Sequence, residues 1–292
     1  MSNSVFANKQ NVKCWNLFTG LSFLLLISLT LLSGSHLMAQ GNLLISPHRV
    51  VFEGSKRVMD INLANTGQDS AKYSISFLQY RMNEDGGYEE ITAPEAGLNF
   101  ADKNVRIFPR SVMLGPNESQ VVKIQLTKSE ELAPGEYRSH LYFRAIANQK
   151  ALGEEAAKKD TTGISIKLVA VFGITVPVII RVGESTTILN LTDLKLEKGT
   201  DGNNKFFFTI NRTGNMSAYG DVKILYEAPN GTETQIGVIN GIAVYTPLLL
   251  RRVKVDLENK STVDLSKGTI RTVFSSSDDS HPMKLAEAEL KL

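Results

Sequence analysis

The sequence predicts an all-β protein made of two antiparallel β-sandwiches. Three observations carry this. Apolar residues alternate at period two in short runs set off by Gly, Pro, Asn and Asp, the signature of strands and turns. Before residue 148 no segment has a capped apolar pattern at period 3.6, which argues against an α/β fold. The motif Thr66-Gly67-x-x-Ser70-Ala71 recurs as Thr213-Gly214-x-x-Ser217-Ala218 with flanks of matching apolar character, a weak internal repeat that supports two such units, with a chance match as the alternative. A length of 292 residues suits two such domains.

At the N-terminus, Lys9 and Lys13 precede an apolar run from Leu17 to Leu32, which exits through small residues to Ala39. A basic start, a Leu-rich middle and a small-residue exit predict a secretory signal peptide over residues 1–39. A retained anchor is the other reading, but the fully apolar stretch falls short of the roughly 20 residues that a span needs. Removing the segment leaves 30 basic and 30 acidic side chains, a neutral chain with no electrostatic attraction for nucleic acid. The single cysteine, Cys14, leaves with it, so disulfides, a Cys nucleophile and Cys–zinc sites are excluded.

The strands follow in order. Arg49-Val50-Val51-Phe52 meets a Glu53-Gly54 turn, and Val58, Ile61 and Leu63 lead into the first copy of the repeat. Tyr73, Ile75 and Phe77 alternate up to an Asn83–Gly87 turn; Val105–Phe108, Val112–Leu114 and the alternating Val122, Ile124 and Leu126 come next. Each copy of the repeat reads as a strand, a Gly-containing turn and a return strand. In the second unit Asn230-Gly231 marks a hairpin, and the alternation of Ala286, Ala288, Leu290 and Leu292 marks a closing strand. The predicted domains are 40–182 and 183–292.

One segment is unlike the rest. After a polar, Lys-containing loop at 148–163, Ile164, Ile166, Leu168, Ala170, Phe172, Ile174, Val176, Val178 and Ile180 keep period two over nine apolar positions. Such a run extends over roughly 50 Å, against 5–6 residues for a usual strand, so part of it should lie beyond its own core. Pro177 lacks the N–H of a central strand and predicts an edge or a bulge. A long apolar edge is an aggregation hazard unless another chain pairs with it. Two ordinary buried strands joined at Gly173 are the alternative.

Several segments resemble the periplasmic pilus-assembly chaperones (PapD-like), a family of two immunoglobulin-like sandwiches. Ser46-Pro47-His48-Arg49-Val50-Val51-Phe52-Glu53-Gly54 looks like the family's first strand. Leu114–Ile124 is similar to its strand-connecting pattern, and Tyr137–Arg144 to the strand before its long loop. The resemblance covers about residues 42–182. It implies two immunoglobulin-like domains and an exported, periplasmic chaperone that binds pilus, fimbrial or other surface-fibre subunits by donating an edge strand. It further implies that Ile166, Leu168, Ala170 and Phe172 fill the subunit's groove and that Arg49 holds the subunit's terminal carboxylate. An outer-membrane usher is an implied second partner, and the same edge allows self-association. Pro177 stands where the family has a lysine, and Arg138 and Arg144 replace its acidic residue and asparagine. A structural or adaptor protein of the same fold, binding a cell-envelope partner without carrying subunits, is the alternative.

No catalytic pattern stands out. His48, His140 and His281 lie far apart in sequence, with no His-Glu-x-x-His helix, phosphate loop or nucleophile elbow. His140 is expected to be a partly buried structural residue, and Tyr137, Tyr142 and Phe143 core aromatics. Asp278-Asp279 reads as a solvated loop. The expectation is a non-enzyme with no cofactor, no metal and no small-molecule substrate.

Overall fold

The computed structural model describes residues 43–146, 172–200, 202–258, 263–277 and 282–292. The predicted signal peptide, the 148–163 loop, Ile164–Ala170, Asp278-Asp279 and His281 lie outside them. Among the described residues there is no α-helix, only two three-residue 3₁₀ turns.

The first sandwich comprises β1 (Leu43–Ser46), β2 (Val50–Phe52), β3 (Val58–Asn65), β4 (Ala71–Leu78), β5 (Tyr80–Met82), β6 (Tyr88–Glu90), β7 (Val105–Phe108), β8 (Ser111–Leu114), β9 (Ser119–Leu126), β10 (Gly135–Ile146) and β11 (Gly173–Val182). One sheet has the order β1-β3-β9-β7 and the other β2-β11-β10-β4-β8. Their inward-facing alternate residues meet in one core: Leu43, Ile45, Ile61, Leu63, Val122 and Ile124 from the first sheet, Phe52, Ile75, Leu141, Phe143 and Val178 from the second. Burying each such side chain contributes roughly 1.5–3 kcal/mol before ordering costs.

The second sandwich comprises β12 (Ile188–Lys198), β13 (Asn204–Thr213), β14 (Ala218–Glu227), β15 (Glu233–Val244), β16 (Leu250–Asp256), β17 (Thr269–Ser276) and β18 (Lys284–Lys291). Sheets β12-β13-β16 and β15-β14-β17-β18 enclose a separate core around Phe206, Phe208, Ile210, Val222, Ile224 and Phe274. The Asn230-Gly231 turn joins β14 to β15, and the closing strand is β18.

The repeat is visible in the topology, with one refinement. The return strand of each copy runs in the opposite sheet: β3 pairs with β1 and β9 while β4 pairs with β10 and β8. Likewise β13 and β14 belong to different sheets. In the first copy the buried Asn65 side chain fixes the crossing, donating to the carbonyls of Asp69 at 2.7 Å and Gly115 at 3.0 Å. In the second, Gly214 has φ of 89°, and a Cβ there would lie 2.3 Å from the Thr186 carbonyl oxygen. No side chain fits that approach.

Period two also sorts β10 and β11. Leu141, Phe143, Val176, Val178 and Ile180 face the first core, whereas Glu136, Arg138, His140, Pro177, Ile179 and Arg181 occupy the other face. That second face is covered in part by the second sandwich: Met82 and Ile179 form a small apolar cluster with Ala243 and Tyr245. Of the three expected core aromatics, Phe143 is buried and Tyr137 packs against the core. Tyr142 instead lies on the opposite face above Gly173, whose missing Cβ leaves room for the ring.

Candidate functional site

The site is built where β2 ends against β11. Strand β11 pairs antiparallel with β10 along its length, from Gly135↔Val182 to Arg144↔Gly173. On its other flank β2 pairs with it in parallel over only three positions, Val50↔Val178, Val51↔Ile179 and Phe52↔Ile180. Pro177 therefore sits one residue before the covered stretch. The sequence expectation of an edge strand needs this correction: β11 is interior at Val178–Ile180, and among the described residues its flank from Gly173 to Pro177 has no strand partner. That is about 17 Å of edge.

The row of apolar side chains changes character at the same place. Val176, Val178 and Ile180 are buried in the first core, while Ile174 is 39% exposed and Phe172 is 53% exposed. Both continue the inward-facing parity of β11 past the end of the core. The backbone stays in register there, because the Ala145 N–H donates to the Phe172 carbonyl at 3.0 Å. Ile166, Leu168 and Ala170, the other three groove-filling residues implied by the resemblance, lie outside the described residues.

Arg49 immediately precedes β2 and is half-buried. Its Nη1 donates to the Tyr245 hydroxyl at 2.9 Å, and its guanidinium lies 4.4 Å from the centre of the Tyr219 ring. Such stacking holds a guanidinium in place without neutralising it. No carboxylate pairs with Arg49 among the described residues.

Behind Arg49 lies a buried polar cluster. Arg138 is 2% exposed, its guanidinium 4.2 Å from the centre of the Tyr245 ring, and its Nη2 donates to the carbonyls of Tyr80 at 3.2 Å and Thr246 at 3.3 Å. His140, 3% exposed, touches the rings of Tyr80, Tyr88 and Tyr245 edge-on. Burial first, then the Arg138 and Arg49 charges, pull its imidazole down to about 3, so it is neutral at ordinary pH. Burial likewise lowers the Arg138 and Arg251 guanidiniums. Tyr88 keeps much of its surface open, yet its hydroxyl is pushed up to about 12, chiefly by burial of that end of the ring and next by Tyr245.

Glu136 forms the other polar link between the sandwiches. Its Oε2 accepts from the Ser217 hydroxyl at 2.6 Å, the Ser217 N–H at 2.9 Å and Arg181 Nε at 3.3 Å. A buried carboxylate satisfied this fully is structural, with little left to offer a ligand.

Of the site residues expected from the sequence, Arg49 and Phe172 are the two within the described part of the chain, one beside β2 and one at the far end of the open flank of β11. Sequence reasoning missed the tyrosines around Arg49. Tyr219 and Tyr245 sit in a domain whose packing against Arg49 no local pattern announces. The alternation of Arg138 and His140 with Leu141 and Phe143 was a readable signal that both polar residues share the outer face.

No protein-family model matches the chain, and no curated protein does. Solved structures do. The YadV chaperone matches at 11% identity and a TM-score of 0.43, over 86% of this chain and 100% of that one. A chaperone–tip subunit complex, CsuC–CsuE, from the archaic chaperone-usher Csu pili of Acinetobacter baumannii matches at 13% identity and a TM-score of 0.42, over 84% and 99%. The E. coli chaperone DraB matches at 14% identity and a TM-score of 0.41, over 85% and 96%.

Proposed function

We propose that this chain is an exported, non-enzymatic chaperone of the periplasm that holds pilus, fimbrial or other surface-fibre subunits by donating β11 as an edge strand. One observation carries the reading: Phe172 and Ile174 continue a buried apolar row into solvent on a strand whose adjoining flank is unpaired among the described residues. An unfinished sandwich exposes an apolar groove and a row of unpaired backbone groups, and a borrowed strand satisfies both. Ile166, Leu168 and Ala170 extend the same parity and would fill the groove beside Phe172.

The parallel direction of β2 sets how a guest strand would lie. A guest occupying the Gly173–Pro177 flank in line with β2 has one end against Arg49. Running parallel to β11, it presents its terminal carboxylate to that guanidinium; running the other way, it presents an ammonium to a like charge. Charge-assisted hydrogen bonds from a guanidinium to a carboxylate favour the first arrangement. An outer-membrane usher would be the further partner that receives the subunit.

Co-purification tests the proposal. Wild-type protein carries subunit out of the exporting cell, and Phe172→Asp loses it while remaining folded. Normal subunit recovery with the folded Phe172→Asp protein would contradict strand donation.

A further inference from the structure

Two buried arginines meet very different fates. Arg212 is satisfied by carbonyls: its Nε donates to Leu248 at 2.9 Å, and its Nη1 to Gly214 and Met216, each at 2.9 Å. Arg138, equally buried, leaves Nε and Nη1 without a partner. Arg251, beside the same tyrosines, donates from Nη1 to the Ala243 carbonyl at 2.6 Å but leaves Nε unpartnered. His140 Nδ1, in the same cluster, is unpartnered as well. Among the described residues, half of the eight orphaned buried side-chain atoms thus belong to three neighbouring residues.

The charges do not balance either. Among the buried side chains described, Glu136 is the one carboxylate, and Ser217 and Arg181 already occupy it. Neither Arg138 nor Arg251 has an ion-pair partner among the described residues. An unpaired buried guanidinium is costly, and each orphaned donor adds its own desolvation penalty. A single group cancels both deficits: a small oxyanion, with several acceptor oxygens and negative charge.

We infer that Arg138 and Arg251, with the Tyr88 and Tyr245 hydroxyls, form a buried oxyanion site between the two sandwiches. The site shares the Tyr245 hydroxyl with Arg49, and its occupancy does not depend on strand donation by β11. Its occupant is an oxyanion of phosphate type or a carboxylate. Bound there, it holds the β5–β6 hairpin and β10 of the first sandwich to β16 of the second.

Inorganic phosphate is the probe, titrated into the free protein against chloride at equal ionic strength. Wild type gains melting temperature in a saturable way at millimolar phosphate. Arg138→Met and Arg251→Met each weaken the half-saturating concentration at least tenfold, and Lys123→Ala, a surface cation elsewhere, leaves it unchanged. Should Arg138→Met fail to fold, Arg251→Met carries the comparison. A response that never saturates, or one unchanged in Arg251→Met, overturns the site; so does equal weakening in Lys123→Ala. A peptide ending in a free carboxylate, compared with its C-terminal amide, separates the sources. Competition from the acid alone that persists in Arg49→Ala identifies a chain terminus as the occupant, and no competition from either leaves the free anion. Both outcomes sustain the site.

Discussion

At the scale of single residues, charge and burial decide what each side chain can do. His140 is neutral in the native state down to about pH 3, whereas in the unfolded chain it takes up a proton near pH 6.5. The unfolded state therefore binds more protons between those values, and stability falls as the pH drops through that window. At pH 4.5 the loss from this residue is about 2–3 kcal/mol. Urea unfolding of wild type and His140→Phe at pH 7.5 and 4.5 checks it. Wild type should lose that much more than the variant on acidification, and parallel losses would show that His140 takes up its proton without resistance. Arg49 has the opposite situation: it is half-open, stacked and unneutralised. Arg49→Ala should weaken the client complex about 10–100-fold, as expected for a charge-assisted hydrogen bond. Calorimetric titration should find no such loss for a client with an amidated terminus.

At the scale of elements, β11 changes role along its length. From Val176 to Ile180 it is core; at Phe172 and Ile174 its inward side chains have no core left to enter. Substitutions should separate the two halves. Phe172→Asp and Ile174→Asp should change stability by no more than about 0.5 kcal/mol, as surface changes do, yet abolish client binding. Val178→Asp puts an unpaired carboxylate into the core and should prevent folding. Circular dichroism melts together with pull-downs read both. The sequence showed the long alternating row and its excess over one core, because period two needs only local information. It could not show where β2 covers the strand. That cover depends on the crossing of the chain from β1 in one sheet to β2 in the other, a tertiary event that Pro177 alone did not locate. The Gly67 and Gly214 turns were legible as turns for the same local reason, while the sheet that each return strand joins was not.

At the scale of the whole molecule, the described part of the chain from β1 onward holds two cores joined by a small apolar cluster, the Glu136 links and the β5–β6 hairpin. At that hairpin the Arg252 N–H donates to the Glu84 carbonyl at 2.7 Å, and the two side chains form an ion pair. None of these junctions was visible in the sequence, since each joins residues far apart along the chain and leaves no local pattern. Removing the Glu136 carboxylate leaves Arg181 and Ser217 without their shared acceptor. Glu136→Ala should cost about 3–5 kcal/mol, and scanning calorimetry should resolve one transition of the wild type into two. A single unshifted transition would mean that the junction contributes nothing. The central claim concerns β11, and amide hydrogen exchange with and without bound client tests it most directly. Exchange should slow at the alternate amides of Gly173–Val176 that face away from β10 when the client binds, and stay unchanged at Val178–Ile180, which β2 already covers. Client binding that leaves Gly173–Val176 exchanging as in the free protein would contradict it.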